Sequence, residues 1–291
     1  MYDNVSGVHS AWTSLLRRIL CEGAITPSRA DGRSNRTKEL FAEQLFVEDM
    51  RKCVLVCPER RPNYRFMVAE WLWMMMGRND VAPVARFTPG IADFSDNGRT
   101  FYGAYGPHVV AQLPDVISRL KADWATRQAV VDIWRDSPHP PTKDVPCTLN
   151  MQFLVRENRL RLVVNMRSSD AWLGVPYDAF NFMMLGNAVA GELELEPGTF
   201  ALNMASSHLY ERDWEAAQQV LAHAGFNASV DAPPLPGLPP SFFNAVLDDP
   251  EKARPEIPVP WSFYASALRV RTSGSALELL DLAGDDVKEA A

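Results

Sequence analysis

Residues 165–185 read NMRSSDAWLGVPYDAFNFMML. Arg167, Ser168, Asp170, a GVP turn and Asp178 fall within the twelve residues 167–178. The run before them, LRLVVNM from Leu160, alternates as a strand does. The residues after them, 179–191, read as a helix. Polar side chains grouped at a strand-to-helix junction look like a site for a small anionic ligand. Twenty residues upstream of Arg167, Cys147 stands in DVPCTLNMQF, at a loop-to-strand junction. Downstream, SSHLY at 206–210 brings a further His and Tyr.

Working outward, strands are expected at 127–134, 148–156 and 159–166, the last two joined by Glu157 and Asn158 as a tight hairpin turn. A strand-like stretch covers 40–57, and further strands are expected near 199–205 and 262–272. Helices are expected at 9–22, 65–77, 109–123, 179–191 and 208–224. Segment 24–38 is polar and turn-rich, crowding Arg29, Arg33 and Arg36 into a loop that suits an anion. Segment 232–241, APPLPGLPPS, reads as a proline-rich surface connector. There is no regular βαβ rhythm, no GxGxxG, no GxxxxGK[ST] and no internal repeat. The expected fold is α+β, one large mixed twisted sheet with flanking helices. It forms a single domain over 1–291, with its core at about 33–225 and a variable proline-rich part at 232–291.

At 47% hydrophobic and 22% charged residues the composition is that of an ordinary globular protein. A net charge of −7 provides no basic field for direct nucleic-acid binding. No apolar run is long enough to span a membrane, and no secretory signal is read at the N-terminus. A cytoplasmic protein with reduced thiols is expected. Cys53 and Cys57 lack a second ligand pair, so burial rather than metal binding is their reading, and no metal is expected.

Segment 65–77, RFMVAEWLWMMMG, is hydrophobic around most of its circumference and carries one carboxylate, Glu70. Burying a Glu in such a helix is costly unless it has partners or a function. Cys147 alone could be inert core. The polar side chains around it in sequence point instead to a small anionic-ligand site beside a thiol.

PC before a QF-containing strand, then RSxDxxLGVP, then HLY form a long ordered pattern that resembles the thymidylate synthase and pyrimidine-nucleotide hydroxymethylase superfamily. The resemblance runs from about Arg33 to Trp214 and is strongest over 144–214. Glu70 in AEWLW resembles the glutamate of the family's ELLW helix, and Tyr105 in GAYGP its active-site tyrosine. The resemblance implies that Cys147 adds to C6 of a pyrimidine nucleotide, so that C5 takes a one-carbon unit from 5,10-methylenetetrahydrofolate. It implies that Arg167 and Ser168 hold phosphate and that Arg167 lowers the thiol's pKa. Asp170 accepts from the pterin, while His208 and Tyr210 bind the sugar. It also implies a homodimer with shared active sites. Arg127 would reach the partner's phosphate, although the next position of that pair is Gln128. Arg33, with Arg36 as a rival, would supply an arm arginine.

Two departures choose the branch. Members that methylate uracil carry an Asn after GVPF, where this chain has Asp178 in GVPYD. A carboxamide matches uracil's N3–H and O4. A carboxylate accepts from cytosine N4 and stabilises a proton on N3, or its acid form donates to N3. Asp178 could instead cap the helix expected from Ala179. Met166, where methylating members usually carry Gln, also resembles deoxycytidylate hydroxymethylases. The second departure is that GIADFSDNG (90–98) lacks the family's tryptophan and LLDLAGDDVKEAA (279–291) does not resemble its closing tail. Both features assist hydride transfer. Without it, water adds to the methylene, and Glu70 is placed to deprotonate that water. The expected enzyme is a dCMP or CMP 5-hydroxymethylase, with dCMP favoured because Arg127 and Ser168 match the deoxynucleotide pattern. The alternatives are a dUMP or dCMP methyltransferase and a catalytically inactive nucleotide-binding dimer.

Overall fold

The computed structural model describes residues 7–27, 36–135, 139–222, 228–252 and 257–279. Helix α1 (Val8–Glu22) leads into β1 (Ala24–Pro27), β2 (Arg36–Val47) and β3 (Val54–Val56). Next come α2 (Tyr64–Met75), the short α3 (Ala82–Ala85), α4 (Gly106–Ala122) and β4 (Val130–Asp132). The hairpin β5 (Thr148–Arg156) and β6 (Arg159–Met166) precedes β7 (Ser169–Asp170), α5 (Val175–Glu192) and β8 (Glu196–Tyr210). The chain continues through α6 (Trp214–Ala222), β9 (Ala228–Val230), α7 (Phe243–Asp248) and α8 (Trp261–Arg269).

Seven strands form one mixed sheet in the order β1-β2-β8-β6-β5-β4, with β7 beside β8, and β3 pairs with β9 in a small second sheet. The β5–β6 pair is antiparallel, whereas β6 and β8 run parallel with α5 as their crossover. Glu157 and Asn158 turn the hairpin at φ 56° and 57°, the left-handed pair that such a two-residue turn requires. Along β6, Leu160, Leu162, Val164 and Met166 are buried under the helices while the alternate residues are half-exposed. On that half-exposed face Gln44 donates to Asn203, Asn203 to Asn165 and Asn165 to Asn150, at 2.7–2.9 Å, an amide ladder across four strands.

Helix α2 is apolar all round, as its sequence implies. Asn63 caps it by accepting from the Phe66 backbone N–H at 3.1 Å, and Gly77 follows its end at φ +67°. Cys53 and Cys57 are buried free thiols.

Four expectations need correction. The supposed loop 24–38 contributes strand at both ends, because Ala24–Pro27 pairs with Arg36–Glu39. The helix expected from 208 begins only at Trp214. Residues 208–210 continue β8, held by register to β2 on one side and β7 on the other. The strand expected near 262–272 is α8, whose Trp261, Tyr264, Ala265 and Leu268 recur at helical spacing and bury against α2, with the Trp71 and Tyr264 rings 5.2 Å apart. The proline-rich connector is not simply a surface strap. Ala232 and Leu235 are buried, and the Leu235 carbonyl lies 2.1 Å from where a Cβ on Gly191 would stand, which requires glycine there.

Candidate active site

Between the C-terminal half of α2, the start of α4, the loop before β5 and the first turns of α5 lies a cavity of about 260 Å³. Its polar lining is Glu70, Tyr105, Asp144, Cys147, Asp178 and Asn181. Trp73, Val84, Ile91, Phe94 and Phe101 make an apolar wall. Four residues far apart in sequence, Cys147, Glu70, Asp178 and Tyr105, thus meet in one chamber.

Each is positioned by its element. Cys147 closes the loop before β5, where its carbonyl accepts from the Arg167 backbone N–H at 2.9 Å. The Arg167 guanidinium donates to the carbonyls of Pro146 (2.9 Å) and Val145 (3.0 Å), and its Nη2 lies 3.6 Å from Cys147 Sγ. Trp134 stacks on the same guanidinium, 5.8 Å from its ring centroid. Arg167 therefore clamps the loop that carries Cys147. Burial pushes the Cys147 thiol up, Arg167 opposes this, and Asp178 and Asp144 reinforce it. Arg167 thus lowers the thiol's pKa as the resemblance implied, but desolvation outweighs that one half-exposed cation and the net shift is upward.

Helix α5 begins at Val175, so Asp178 sits in its first turn and not at its N-cap. Its backbone N–H donates to the Gly174 carbonyl as an ordinary helical bond. No cap hydrogen bond comes from its side chain, which lines the cavity instead. Burial raises the Asp178 carboxyl to about 8, with Glu70 and Asp170 adding repulsion. Burial likewise raises Glu70 to about 7, opposed by the hydrogen bond from Asn181 Nδ2 to Glu70 Oε2 at 2.7 Å. Tyr105, at the start of α4, stacks on Phe182 with centroids 6.1 Å apart. Its hydroxyl is held protonated, chiefly by burial and then by Asp178 and Cys147.

These two acids have a consequence for stability. Their folded values lie above those of ordinary carboxyls, so the folded state binds more protons than the unfolded chain from about pH 4 upward. Their contribution is complete below that range and is lost as pH rises through about 7 and 8. Glu70→Gln should gain on wild type between about pH 5 and 7, and Asp178→Asn between about pH 4 and 8, by up to about 1.4 kcal/mol per pH unit within each window and by no more above it. Thermal unfolding across pH measures this. A difference in Tm from wild type that is flat with pH contradicts it.

Of the remaining residues named from sequence, Ser168, Asp170, His208 and Tyr210 form a second group outside the cavity lining. Ser168 Oγ lies 3.5 Å from His208 Nδ1, and the His208 and Tyr210 rings meet edge-on at 5.2 Å. Burial lowers the His208 imidazole, against the pull of Asp170 and Glu39. Asp170, the register partner of His208, accepts from the backbone N–H groups of Trp172 (2.8 Å) and Leu173 (3.1 Å) through Oδ1. Arg127 is exposed just before the edge strand β4 and does not reach this chain's cavity. Arg33 lies outside the described residues. Arg36 is paired with Glu211 and stacked over Trp214, so its guanidinium is engaged within the chain.

Sequence reasoning missed two cavity residues, Asn181 and Asp144. Asn181 was visible as the same kind of signal as Glu70, a polar residue inside an apolar helix. It also stands three residues after Asp178 and so shares its helical face. Asp144, three residues before the thiol, accepts from the Gly103 backbone N–H at 2.8 Å. Among the described residues no cluster of His, Cys, Asp and Glu is arranged to hold a metal ion, and no helix is long and apolar enough to cross a membrane.

Comparison with known proteins agrees with this geometry. A deoxyuridylate hydroxymethyltransferase of Pseudomonas phage M6 is 33% identical over 267 residues, which cover 88% of this chain and 73% of that protein. A deoxyuridylate hydroxymethyltransferase of Bacillus phage SP01 is 29% identical over 245 residues, 77% of this chain and 63% of that longer protein. The thymidylate synthase profile matches residues 10–231, from α1 to the strand that closes the small sheet. With a match of that extent laid over this sheet and this cavity, the chain belongs to the thymidylate synthase family.

Proposed function

We propose that the protein is a pyrimidine nucleotide 5-hydroxymethylase that acts on dCMP, or CMP, with 5,10-methylenetetrahydrofolate as one-carbon donor. The observation that carries this reading is the convergence of Cys147, Glu70 and Asp178 on one cavity. Cys147 forms the bond to C6, and the ring's displaced electron pair makes C5 nucleophilic. Asp178, neutral at pH 7, accepts from cytosine N4 and offers its proton to N3, which draws electron density out of the ring as the thiolate adds. Glu70 takes a proton from water as the water's oxygen bonds to the methylene on C5. Cys147 then leaves C6 and the C5=C6 bond returns. Arg167 and Ser168 bind phosphate, with His208 and Tyr210 at the sugar and Tyr105 donating inside the cavity.

The folate would supply a one-carbon unit at the oxidation level of formaldehyde, with C5 giving up its proton and tetrahydrofolate departing to leave the methylene that water attacks. The apolar wall fits its flat ring systems, and Asp170 keeps Oδ2 unused by the described residues for the pterin. Where methylating members place tryptophan, segment 90–98 contributes Ile91 and Phe94 to the wall. This supports water addition over hydride transfer.

A second reading takes a uracil nucleotide as substrate. It is favoured by the names of both phage relatives and by the neutral state of Asp178, which offers one donor and one acceptor as an amide does. Incubation with methylenetetrahydrofolate and each of dCMP, CMP and dUMP, followed by product mass, tests all readings. A gain of CH2O on a cytosine nucleotide is expected. A gain of CH2 identifies a methyltransferase, and no gain together with no tritium release from 5-tritiated nucleotide identifies an inactive binding protein.

The same reading includes a homodimer with shared sites. The half-exposed sheet face with its four-amide ladder supports this, as does Arg127, which is exposed and far from its own cavity. An isologous pairing through that face would bring each Arg127 to the other subunit's phosphate. Mixing inactive Arg127→Ala with inactive Cys147→Ala should restore activity to about a quarter of wild type, as one hybrid site receives both intact residues. No recovery after verified subunit exchange contradicts sharing.

A further inference from the structure

We propose that Asn181 is a positioning residue for water addition: its Nδ2 fixes Glu70 and its Oδ1 accepts a hydrogen bond from the attacking water. This rests on the hydroxymethylase reading above.

Asn181 is 6% exposed, one helical turn beyond Asp178, and faces Glu70 across the α2–α5 contact. Its amide group is used at one end only. Nδ2 donates to Glu70 Oε2 at 2.7 Å, while Oδ1 is buried and has no hydrogen-bond partner among the described residues. Buried polar atoms without partners are uncommon, and those beside a cavity are ordinarily met by water or ligand. The orientation is chemically determined when Glu70 is ionised. A carboxylate only accepts, so the NH2 must face it and the carbonyl must face away. The base form of Glu70 and the presentation of Oδ1 are therefore one state. A water between Glu70 and Oδ1 has both hydrogens committed, which turns a lone pair on its oxygen toward a third point, the substrate methylene.

In the step itself the water oxygen bonds to the methylene carbon and the C=C pair moves into the ring. One water proton passes to Glu70, and the other stays on the new hydroxyl, hydrogen-bonded to Asn181 Oδ1. The ring pair then re-forms C5=C6 and expels the Cys147 thiolate. No oxidant or reductant is consumed.

Asn181→Leu keeps the shape and removes both polar ends, and Asn181→Ser serves as a second variant that fits the same space with a hydroxyl. The test compares three readouts in the intact enzyme: tritium release from 5-tritiated nucleotide, hydroxymethyl product, and thioether product when 2-mercaptoethanol is present to compete with water. For Asn181→Leu, tritium release should stay within about threefold of wild type, and hydroxymethyl product should fall about tenfold or more. The thioether-to-hydroxymethyl ratio should rise correspondingly, and Asn181→Ser should fall between the two. An unchanged ratio in both variants overturns the proposal, as does an equal fall of tritium release and product. If wild type itself adds no CH2O to any nucleotide, the hydroxymethylase reading fails, which is a separate result.

Discussion

Cys147→Ala should lower product formation by at least about a hundredfold while nucleotide still binds with near-native affinity. The thiol forms the bond that makes C5 nucleophilic, and among the described residues no other thiol lines the cavity. Binding survives because the groups assigned to the phosphate do not depend on sulfur. Arg167 is oriented by the Pro146 and Val145 carbonyls, and its backbone bond to residue 147 persists in alanine. Removing one atom beside an existing cavity also leaves the packing intact, so Tm should change little. The protonation states add a pH signature. The thiol is raised by burial above its ordinary value and Asp178 is raised to about 8, so kcat/KM should climb as thiolate forms and level off near pH 8 as Asp178 ionises. Product mass and nucleotide titration by calorimetry are the measurements. Turnover above about one per cent of wild type would contradict covalent catalysis, and a loss of binding would mean that the thiol anchors the ligand.

Much of the framework was legible because it rests on local signals. Helix α2 declares itself by an unbroken apolar circumference ended by Gly77, and the hairpin at Glu157 and Asn158 by alternating strands around two turn residues. The misreadings share a cause: partners distant in sequence decided the outcome. Residues 206–210 become strand because β2 and β7 supply hydrogen bonds on both sides. WSFYASALR looks strand-like for its aromatic residues, yet folds as α8 because α2 offers Trp71 to Tyr264. The site divides in the same way. Cys147, Glu70, Asp178 and Tyr105 could be named from the motif resemblance, but neither spacing nor periodicity brings four segments into one chamber. Nor could sequence weigh burial against Arg167 at the thiol, since that balance depends on how deep the cavity lies. Asn181 became visible only when its amide was seen with one end on Glu70 and the other unmatched.

Asp178→Asn should lower the cytosine-to-uracil activity ratio by at least about tenfold, because it removes a transferable proton that one base needs and the other does not. Hydrogen-bond counting alone does not give this result. A neutral carboxyl and an amide each present one donor and one acceptor, and either could turn to face either base. What differs is the proton. The Asp178 acid can release its proton toward cytosine N3 as Cys147 adds to C6, whereas an amide N–H cannot. Uracil already carries hydrogen on N3 and needs only a donor at O4, which the amide supplies. The variant should therefore lose most of its rate on dCMP and CMP while keeping or gaining rate on dUMP. It should also lose the levelling of kcat/KM near pH 8 that Asp178 imposes and go on climbing as thiolate forms. Asp178 lines the same cavity as Glu70 and Asn181, so the substitution also changes the surroundings of Glu70. That change acts on both bases alike and cancels in the ratio, which makes the ratio the measurement to take. If wild type already prefers dUMP, or if the ratio is unchanged in the variant, Asp178 does not select the base. Its raised carboxyl then serves the pyrimidine ring as a plain hydrogen-bonding acid, and the uracil reading shared with the phage relatives' names becomes the stronger one.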